Sequence, residues 1–256
     1  MNVDLCFVMD CTGSMAKHIQ GAKDCILKVV EHMENMNPKI KIWVGFCGYR
    51  DHCDSDRLQT LDFTTMYNDF KSYLYNNVPA TGGGDTPEDV LGGLHEAITK
   101  MTWKNSIRII LHVCDAPPHG LRFTNLSDTY PGGDPLGLTA ESVLQEMKDK
   151  NISYFFGKIT NDTEGMIRVF REIIGHFEVF DLKNEESVLQ EMKDKNISYF
   201  FGKITNDTEG MIRVFREIIG HFEVFDLKNE GKPDRLVSKF FDATRSAILT
   251  AVTLRE

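Results

Sequence analysis

The sequence predicts an α/β fold: a Rossmann-like, doubly wound and mainly parallel sheet with helices on both faces. Short apolar runs of strand length alternate along the chain with segments in which apolar residues recur every three or four positions. The strand-like runs are almost continuously apolar, as is usual for parallel strands buried on both faces. Hydrophobic residues make up 41% of the 256 residues, so the chain can bury such a sheet and is not disordered. Strands that alternate with helices in this way indicate βαβ units.

The first part of the chain contains two strand patterns with a helix pattern between them. Residues 3–9 (VDLCFVM) are apolar apart from one Asp, which predicts a buried strand. Apolar residues then recur at helical spacing over residues 19–33, and Pro38 ends this helix. Residues 40–49 (IKIWVGFCGY) predict the second strand.

The middle of the chain continues the alternation. Residues 58–63 predict a short third strand, and residues 67–74 a short helix. Three glycines at 82–84 predict a flexible loop, and the helix that follows has its apolar face over residues 90–101. Residues 107–113 (IRIILHV) are a further buried-strand pattern, which we expect at the centre of the sheet.

The last part of the chain contains an exact repeat, because residues 141–185 recur at 186–230 without one change. A Pro- and Gly-rich loop over residues 116–137 precedes it, and each copy has the pattern helix, strand, helix, strand. Repeat architectures drift in sequence and usually need three or more units. Identical copies therefore favour a tandem duplication, or an error of gene assembly, within one domain spanning residues 1–256. The chain closes with a helix pattern over residues 237–252.

The duplicated segment offers two ways of completing the sheet. If both copies pack, the sheet gains two strands beyond residues 177–182, which would otherwise form an open edge. Alternatively, one copy fills the native position and the other loops out. We expect the extended sheet, because residues 197–204 and 222–227 are as apolar as their twins. Packing them removes hydrophobic surface from water.

Composition and charge exclude several classes of function. The net charge is −9 without a dense cluster of Lys or Arg, which argues against binding to nucleic-acid phosphates. The longest apolar run is far too short to span a membrane. The six cysteines follow no disulfide or zinc spacing, and no basic and apolar leader precedes Val3. We therefore expect a cytoplasmic protein with reduced thiols.

Polar residues gather at three points where the predicted strands end or helices begin. Residues 10–15 (DCTGSM) follow the first strand, residues 82–89 (GGGDTPED) precede a helix, and residues 114–118 (CDAPP) follow the central strand. Ligands of open α/β sheets bind at the carboxyl ends of such strands. Asp, Ser and Thr at these positions are also ordinary helix caps, but three such segments at one sheet edge favour a metal site. Their oxygen ligands suit Mg²⁺, Mn²⁺ or Ca²⁺ and not zinc.

The three segments resemble a von Willebrand factor A domain with a metal-ion-dependent adhesion site. The segments MDCTGSM, GYRDH and GGGDTPEDVLGGL are most similar to those of the A domains in alpha-kinase proteins and their kinase-less relatives. The resemblance covers nearly the whole chain apart from the duplication. It implies that Asp10, Thr12 and Ser14 are the metal ligands of the first loop. It also implies that Asp115 is the ligand of the third loop.

The resemblance leaves the ligand of the second loop open between three residues. The common family pattern has Thr a few residues before a Gly-Leu pair, but counting back from Leu94 places Glu88 there and not Thr86. In integrin β subunits, the corresponding domain likewise has Glu in an Asp-x-Pro-Glu turn. We therefore rank Glu88 first, Thr86 second and Asp85 third. No acidic pair follows Ser14, so the additional calcium site of integrin β subunits is not expected.

The resemblance implies a binding module, whose metal is completed by an Asp or Glu carboxylate of a protein partner. The main alternative is a metal-dependent hydrolase of phosphatase type. The segment DCTGS is only superficially like the Asp-Thr-Gly-Ser of aspartic proteases, because Cys11 separates Asp10 from Thr12. The signatures of a P-loop and of a haloacid-dehalogenase phosphatase are lacking. His119, which follows Asp115, is the histidine expected closest to the site. We do not expect an enzyme, although the chain could be a regulatory fragment of a longer alpha-kinase protein.

Overall fold

The computed structural model describes residues 2–20, 23, 40–181, 200–203 and 223–226. Its strands, in chain order, are β1 (Asn2–Asp10), β2 (Lys41–Tyr49), β3 (Leu58–Thr64), β4 (Ile107–Cys114), β5 (Ile152–Lys158), β6 (Val179–Asp181), β7 (Phe200–Lys203) and β8 (Glu223–Asp226). Its described helices are α1 (Tyr67–Asn77), α2 (Val90–Lys100), α3 (Ala140–Asp149) and α4 (Glu164–Ile174), with short 3₁₀ turns at Gly13–Lys17 and Asn161–Thr163. None of these helices is long and apolar enough to cross a membrane. The helices predicted over residues 19–33 and 237–252 lie largely outside the described residues.

Six strands form one sheet in the order β3-β2-β1-β4-β5-β6. β1 is parallel to both β2 and β4, and β5 and β6 continue the parallel arrangement. β3, at one edge, is antiparallel to β2. The mainly parallel α/β sheet predicted from the sequence is therefore confirmed. Because β1 and β4 are adjacent and parallel, their carboxyl ends lie side by side at one edge of the sheet.

Alternate side chains of β1 divide the core into two layers. Leu5 and Phe7 belong to the layer that contains the buried side chains of α1. Cys6 and Val8 belong to the opposite layer, which contains those of α2, α3 and α4. All four side chains of β1 are fully buried. Helices therefore cover both faces of the sheet, as predicted.

Asp4 is the one acidic residue within the apolar run of β1, and its side chain ties this strand to the turn before β4. Its carboxylate accepts hydrogen bonds from the backbone N–H groups of Lys104 (2.8 Å) and Asn105 (2.8 Å) and from the Asn105 side chain (2.5 Å). Such charge-assisted bonds compensate for the cost of burying a carboxylate. Asp4 therefore helps to set the point at which the chain enters the central strand β4.

The loop predicted over residues 116–137 is confirmed, because it contains turns and one isolated bridge but neither a strand nor a helix. The bridge pairs Pro118 with Glu88 and so joins this loop to the segment before α2. The helix α3 begins directly after the loop, where the Thr139 hydroxyl accepts a hydrogen bond from the N–H of Ser142 (3.1 Å). This cap satisfies one of the free N–H groups of the first helical turn.

The extended sheet expected for the duplicated segment is not what the structure shows for the described strands. β7 and β8 of the second copy pair with each other as a separate two-stranded parallel sheet, and β6 pairs with β5. In the second copy Phe201 lies opposite Val224, and in the first copy Phe156 lies opposite Val179 in the same register. Identical sequences have identical local pairing preferences, so each copy forms its own strand pair. The assignment of one domain to residues 1–256 stays a prediction.

Candidate metal centre

The first predicted ligand loop starts at Asp10, where β1 ends. Asp10 is fully buried, and its Oδ1 atom accepts hydrogen bonds from the backbone N–H (2.9 Å) and the hydroxyl (2.6 Å) of Thr12. The hydroxyl oxygens of Thr12 and Ser14 are 3.2 Å apart. The Oδ2 atom of Asp10 is buried and has no hydrogen-bond partner among the described residues. The turn therefore gathers three predicted ligands and leaves one carboxylate oxygen of Asp10 uncommitted.

The glycine loop before α2 lies against this first loop. The N–H of Gly13 donates a hydrogen bond to the carbonyl of Gly82 (3.1 Å). Gly82 has a φ of +82°, a conformation that favours glycine, and a Cβ at this position would collide with the Asp54 carboxylate. That carboxylate accepts a hydrogen bond from the N–H of Gly83 (2.9 Å). The lack of side chains at these glycines thus allows the second loop to approach the first.

Glu88 and Asp115 reach the same place from the second and third loops. The N–H of Glu88 donates a hydrogen bond to the carbonyl of Pro117 (3.0 Å), which joins these two loops. Asp115 follows the last residue of β4, and its carbonyl accepts a hydrogen bond from the Thr160 hydroxyl. The Oε2 atom of Glu88 and the Oδ1 atom of Asp115 are buried without a hydrogen-bond partner in the part of the chain that is described. Each loop therefore contributes at least one uncommitted carboxylate oxygen.

These three carboxylates repel one another in a buried environment. Burial, and then the charge of Asp115, raise the pKa of Asp10 to about 7. Burial, and then the charges of Asp10, Asp51 and Asp115, raise the pKa of Glu88 to about 10. Buried carboxylates without a counter-charge are costly, and a divalent cation would relieve that cost. The donor set of carboxylate and hydroxyl oxygens fits a hard cation such as Mg²⁺.

A cavity of about 320 Å³ opens at this point. Four of the five preferred ligands line it, namely Thr12, Ser14, Glu88 and Asp115. Asp10 does not line the cavity but is joined to it through its hydrogen bond with the Thr12 hydroxyl. The structure thus brings together the residues that the sequence analysis placed in one site.

The two alternates for the second loop, Thr86 and Asp85, also line the cavity. Thr86 is exposed, whereas Glu88 is only 3% exposed. The Oδ2 atom of Asp85 accepts a hydrogen bond from the N–H of Thr129, while its Oδ1 atom is buried without a partner among the described groups. The arrangement of the loop is therefore compatible with each ranked residue, and the choice between them stays a prediction.

His119 lies beside the centre in a buried hydrogen-bond network that sequence reasoning did not anticipate. Its Nδ1 atom is 2.7 Å from an oxygen of Asp128, and its Nε2 atom is 2.8 Å from an oxygen of Asp51. Burial opposes the charging of His119, but the bonds to Asp128 and Asp51 outweigh burial and raise its pKa. The network joins the loop after β2 to the loop after β4. The sequence indicated His119 as the histidine nearest to the site and has Asp51 in the GYRDH segment, but nothing in it indicated that the two are in contact.

Residues 4–125 match the family model of the von Willebrand factor A domain. The matched segment contains all of the predicted ligand loops. The match supports the domain that was predicted from the motifs at the ends of the strands.

Relatives of the chain include proteins that are much longer than it is. The alpha-protein kinase vwkA of Dictyostelium discoideum is 39% identical over 171 residues, which make up 66% of this chain and 27% of the kinase. A putative ariadne-like RING finger protein of Acanthamoeba polyphaga mimivirus is 30% identical over 117 residues, 46% of this chain and 11% of that protein. The chain thus spans well under a third of the length of either relative. Among solved structures, the open conformation of the pilus adhesin SpaC from Lactobacillus rhamnosus GG has a TM-score of 0.48 and 16% identity, and the match covers 76% of this chain and 29% of the adhesin.

Proposed function

We propose that this chain, whose residues 4–125 match the von Willebrand factor A domain, is a divalent-metal-dependent protein-binding module. Domains of this family are typically protein-interaction modules. The proposed metal ligands are Asp10, Thr12, Ser14, Glu88 and Asp115, with Thr86 and Asp85 as alternates in the second loop. The proposed partner is a protein that presents an Asp or Glu carboxylate.

The observation that carries the proposal is that each of the three preferred carboxylate ligands has one buried oxygen without a hydrogen-bond partner among the described residues. These oxygens are Oδ2 of Asp10, Oε2 of Glu88 and Oδ1 of Asp115. A buried and unpaired charge costs several kcal/mol, so such a cluster is expected where a ligand compensates for it. The oxygen donors suit Mg²⁺, and Mn²⁺ or Ca²⁺ are the alternatives.

The groups around the cavity support access by a partner from outside. Ser14 and Thr86 are exposed residues of its lining. Without a cation, the carboxyl groups of Asp10, Glu88 and Asp115 offer no positive charge with which an acidic side chain could pair. When bound, Mg²⁺ supplies a Lewis-acidic position that a partner's carboxylate oxygen can occupy. Recognition of an acidic partner is therefore expected to depend on the metal.

Binding of acidic peptides tests this function. We expect a peptide library with matched Asp/Asn and Glu/Gln members to give acidic binders in Mg²⁺ and none after chelation with EDTA. The amide members should bind at least about tenfold more weakly, because they lack the charge that faces the cation. Preference for the amide members, or binding that survives chelation, would count against the proposal.

The second-loop ligand can be identified by comparing two substitutions. Glu88→Ala is expected to weaken Mg²⁺ binding by about tenfold or more, and by more than Thr86→Ala, because the buried Glu88 can give the cation a carboxylate ligand whereas Thr86 offers only a hydroxyl. Isothermal titration of both variants with Mg²⁺ measures the two affinities. The reverse ranking would assign the ligand role to Thr86.

The kinase relative supports a more specific version of the same proposal. The similar segment makes up 27% of the alpha-protein kinase vwkA, so this module is proposed to act as a regulatory, non-catalytic part of a protein of that kind.

Two hydroxyl groups that line the cavity are engaged as hydrogen-bond donors. Thr12 donates to the Asp10 carboxylate, and Thr160 donates to the Asp115 carbonyl. The hydrolase alternative is tested by phosphatase assays with Mg²⁺ or Mn²⁺. Phosphate release by the wild-type protein but not by Asp10→Ala would establish it.

A cytoplasmic location is part of the proposal. The cysteines that the structure describes are free thiols: Cys53 is exposed, and the other four are buried in the hydrophobic core, namely Cys6, Cys11, Cys47 and Cys114. Free thiols of this kind persist in reducing compartments.

A further inference from the structure

The side chains of His52, Asp89 and Asp134 converge from three separate segments of the chain, and none of the three is a proposed Mg²⁺ ligand. His52 lies in the loop after β2, Asp89 is the N-cap of α2, and Asp134 lies in the loop between β4 and α3. The exposed fractions of their side chains are 5%, 0% and 3%. One ligand atom from each residue lies within 4.8 Å of the others. Three potential metal ligands are thus buried in one place.

The contacts among these side chains are too long to be hydrogen bonds. The Nε2 atom of His52 lies 3.4 Å from Oδ1 of Asp89 and 3.4 Å from Oδ2 of Asp134. N–H···O hydrogen bonds in proteins are about 2.7–3.2 Å long. The Nε2 atom of His52 and the Oδ2 atom of Asp134 are also buried without a hydrogen-bond partner in the described residues. Buried polar atoms that face one another without bonding point to a ligand between them.

The separation of 3.4 Å matches the edge of a small tetrahedral coordination sphere. Ligand atoms that lie about 2.0–2.1 Å from a tetrahedral zinc ion are roughly 3.3–3.4 Å from one another. One imidazole nitrogen and two carboxylate oxygens form a donor set that zinc accepts. Mg²⁺ and Ca²⁺ prefer oxygen ligands, as offered by the cavity that Glu88 lines.

Neighbouring groups hold both carboxylates in position. The Arg57 guanidinium pairs with Oδ2 of Asp89, and the N–H of Gly92 donates a hydrogen bond to its Oδ1 (2.9 Å). The Oδ1 atom of Asp134 accepts a hydrogen bond from the N–H of Leu136 (2.6 Å), which leaves Oδ2 turned towards the cluster. Metal-ligating carboxylates are typically oriented by hydrogen bonds of this kind.

We propose that His52, Asp89 and Asp134 bind a zinc ion in a tetrahedral site that is completed by a water molecule or one further ligand. The ion joins the loop after β2, the start of α2 and the loop after β4. Asp89 directly follows Glu88, so zinc also fixes the second loop of the Mg²⁺ centre. The role is structural, and it does not depend on the function proposed above.

Zinc binding is measured on the full chain, with the first centre saturated by excess Mg²⁺. The wild-type protein is expected to keep one zinc equivalent through dialysis, as measured by inductively coupled plasma mass spectrometry. Co²⁺ in its place should give the intense visible absorption of tetrahedral cobalt. His52→Gln and Asp134→Asn should weaken zinc binding by more than the roughly 10–100-fold that loss of an outer-shell partner costs. His95→Gln, which replaces a half-exposed histidine of α2, is the matched control and should bind zinc like the wild type.

Substitutions can distinguish the two metal centres, because the proposed Mg²⁺ and zinc sites share no ligand. Asp10→Asn should retain the zinc equivalent, because Asp10 is not one of the three zinc ligands. Equal zinc content in the wild-type protein and in His52→Gln, no zinc in either, or a weak octahedral cobalt spectrum would overturn the proposal. The three side chains would then be a buried polar cluster that holds no metal ion. If His52→Gln does not fold, Asp134→Asn decides the result, because it keeps the acceptor for the N–H of Leu136.

Discussion

Replacing Asp10 by Asn is expected to abolish Mg²⁺ binding and yet, in the metal-free protein at about pH 8, to raise the free energy of unfolding. Asn keeps an acceptor for the N–H and hydroxyl of Thr12. It removes the negative charge that a cation requires. The loss of Mg²⁺ affinity should exceed the roughly 10–100-fold typical of outer-shell partners.

The gain in stability follows from the pKa of Asp10, which burial and the charge of Asp115 raise to about 7. The folded protein therefore holds this proton more tightly than the unfolded chain, in which the pKa of Asp is about 4. Stability falls as the pH rises from about 4 to about 7, and above that range the loss is on the order of a few kcal/mol. Because Asn carries no charge, the free energy of unfolding of the variant does not decrease in this way as the pH rises.

Isothermal titration with Mg²⁺ and urea unfolding in EDTA measure the two effects of Asp10→Asn. Asp69→Asn, which neutralises an exposed carboxylate of α1, is the matched control and should change neither quantity appreciably. Wild-type Mg²⁺ affinity in Asp10→Asn would remove Asp10 from the site. A metal-free variant less stable than the wild type would contradict the repulsion among the buried carboxylates.

A second large effect is expected from His112, which makes the folded protein sensitive to acid. His112 lies fully buried in β4, with Nε2 2.8 Å from the Tyr49 hydroxyl and Nδ1 2.8 Å from the Tyr154 hydroxyl. A neutral imidazole satisfies this arrangement, because one ring nitrogen donates and the other accepts. An imidazolium would need two acceptors and would place an unpaired charge in the core.

Burial lowers the pKa of His112 to about 3. Because the folded pKa lies below the unfolded value of about 6.5, the stabilising contribution is complete above about pH 6.5. It is lost as the pH falls towards 3, at up to about 1.4 kcal/mol per pH unit. His112→Gln carries no titrating group. At neutral pH it should be less stable than the wild type by about 1–3 kcal/mol, because hydrogen bonds and packing are lost.

The advantage of the wild type over His112→Gln should therefore shrink as the pH falls below about 6.5. Urea unfolding of both proteins at several pH values between about 4.5 and 7.5 measures this difference. The other titrating groups are the same in both proteins, so their contributions cancel. Asn68→Ala, at an exposed position of α1 without a titrating group, is the control, and the difference between it and the wild type should stay nearly constant with pH. A constant difference for His112→Gln would show that His112 is not held neutral by burial.

The strands, the helices of both layers and the location of the proposed Mg²⁺ centre could be predicted because they depend on local patterns. Continuous apolar runs end at Asp10 and at Cys114, and the chain order places both ends at one edge of the sheet. The run of glycines and the acidic turn at Glu88 then indicate the loop before α2, which lines the cavity together with the loops after β1 and β4. What could not be predicted was how many of these oxygens lack a hydrogen-bond partner, because that depends on packing among loops.

The sequence by itself determined the alternation of strands and helices, the burial of β1 on both faces and the carboxylates at the strand ends. Periodicity and chain order are properties of neighbouring residues, and these features follow from them. Only the tertiary structure decided that His52 meets Asp134 and that His112 lies between two tyrosines, because residues far apart in sequence leave no periodic signal when they converge. The duplicated segment shows the same division. Its two copies have identical local preferences, so the sequence predicts the strands in each copy, and only the folded chain decides that β7 pairs with β8 and not with the edge of the larger sheet.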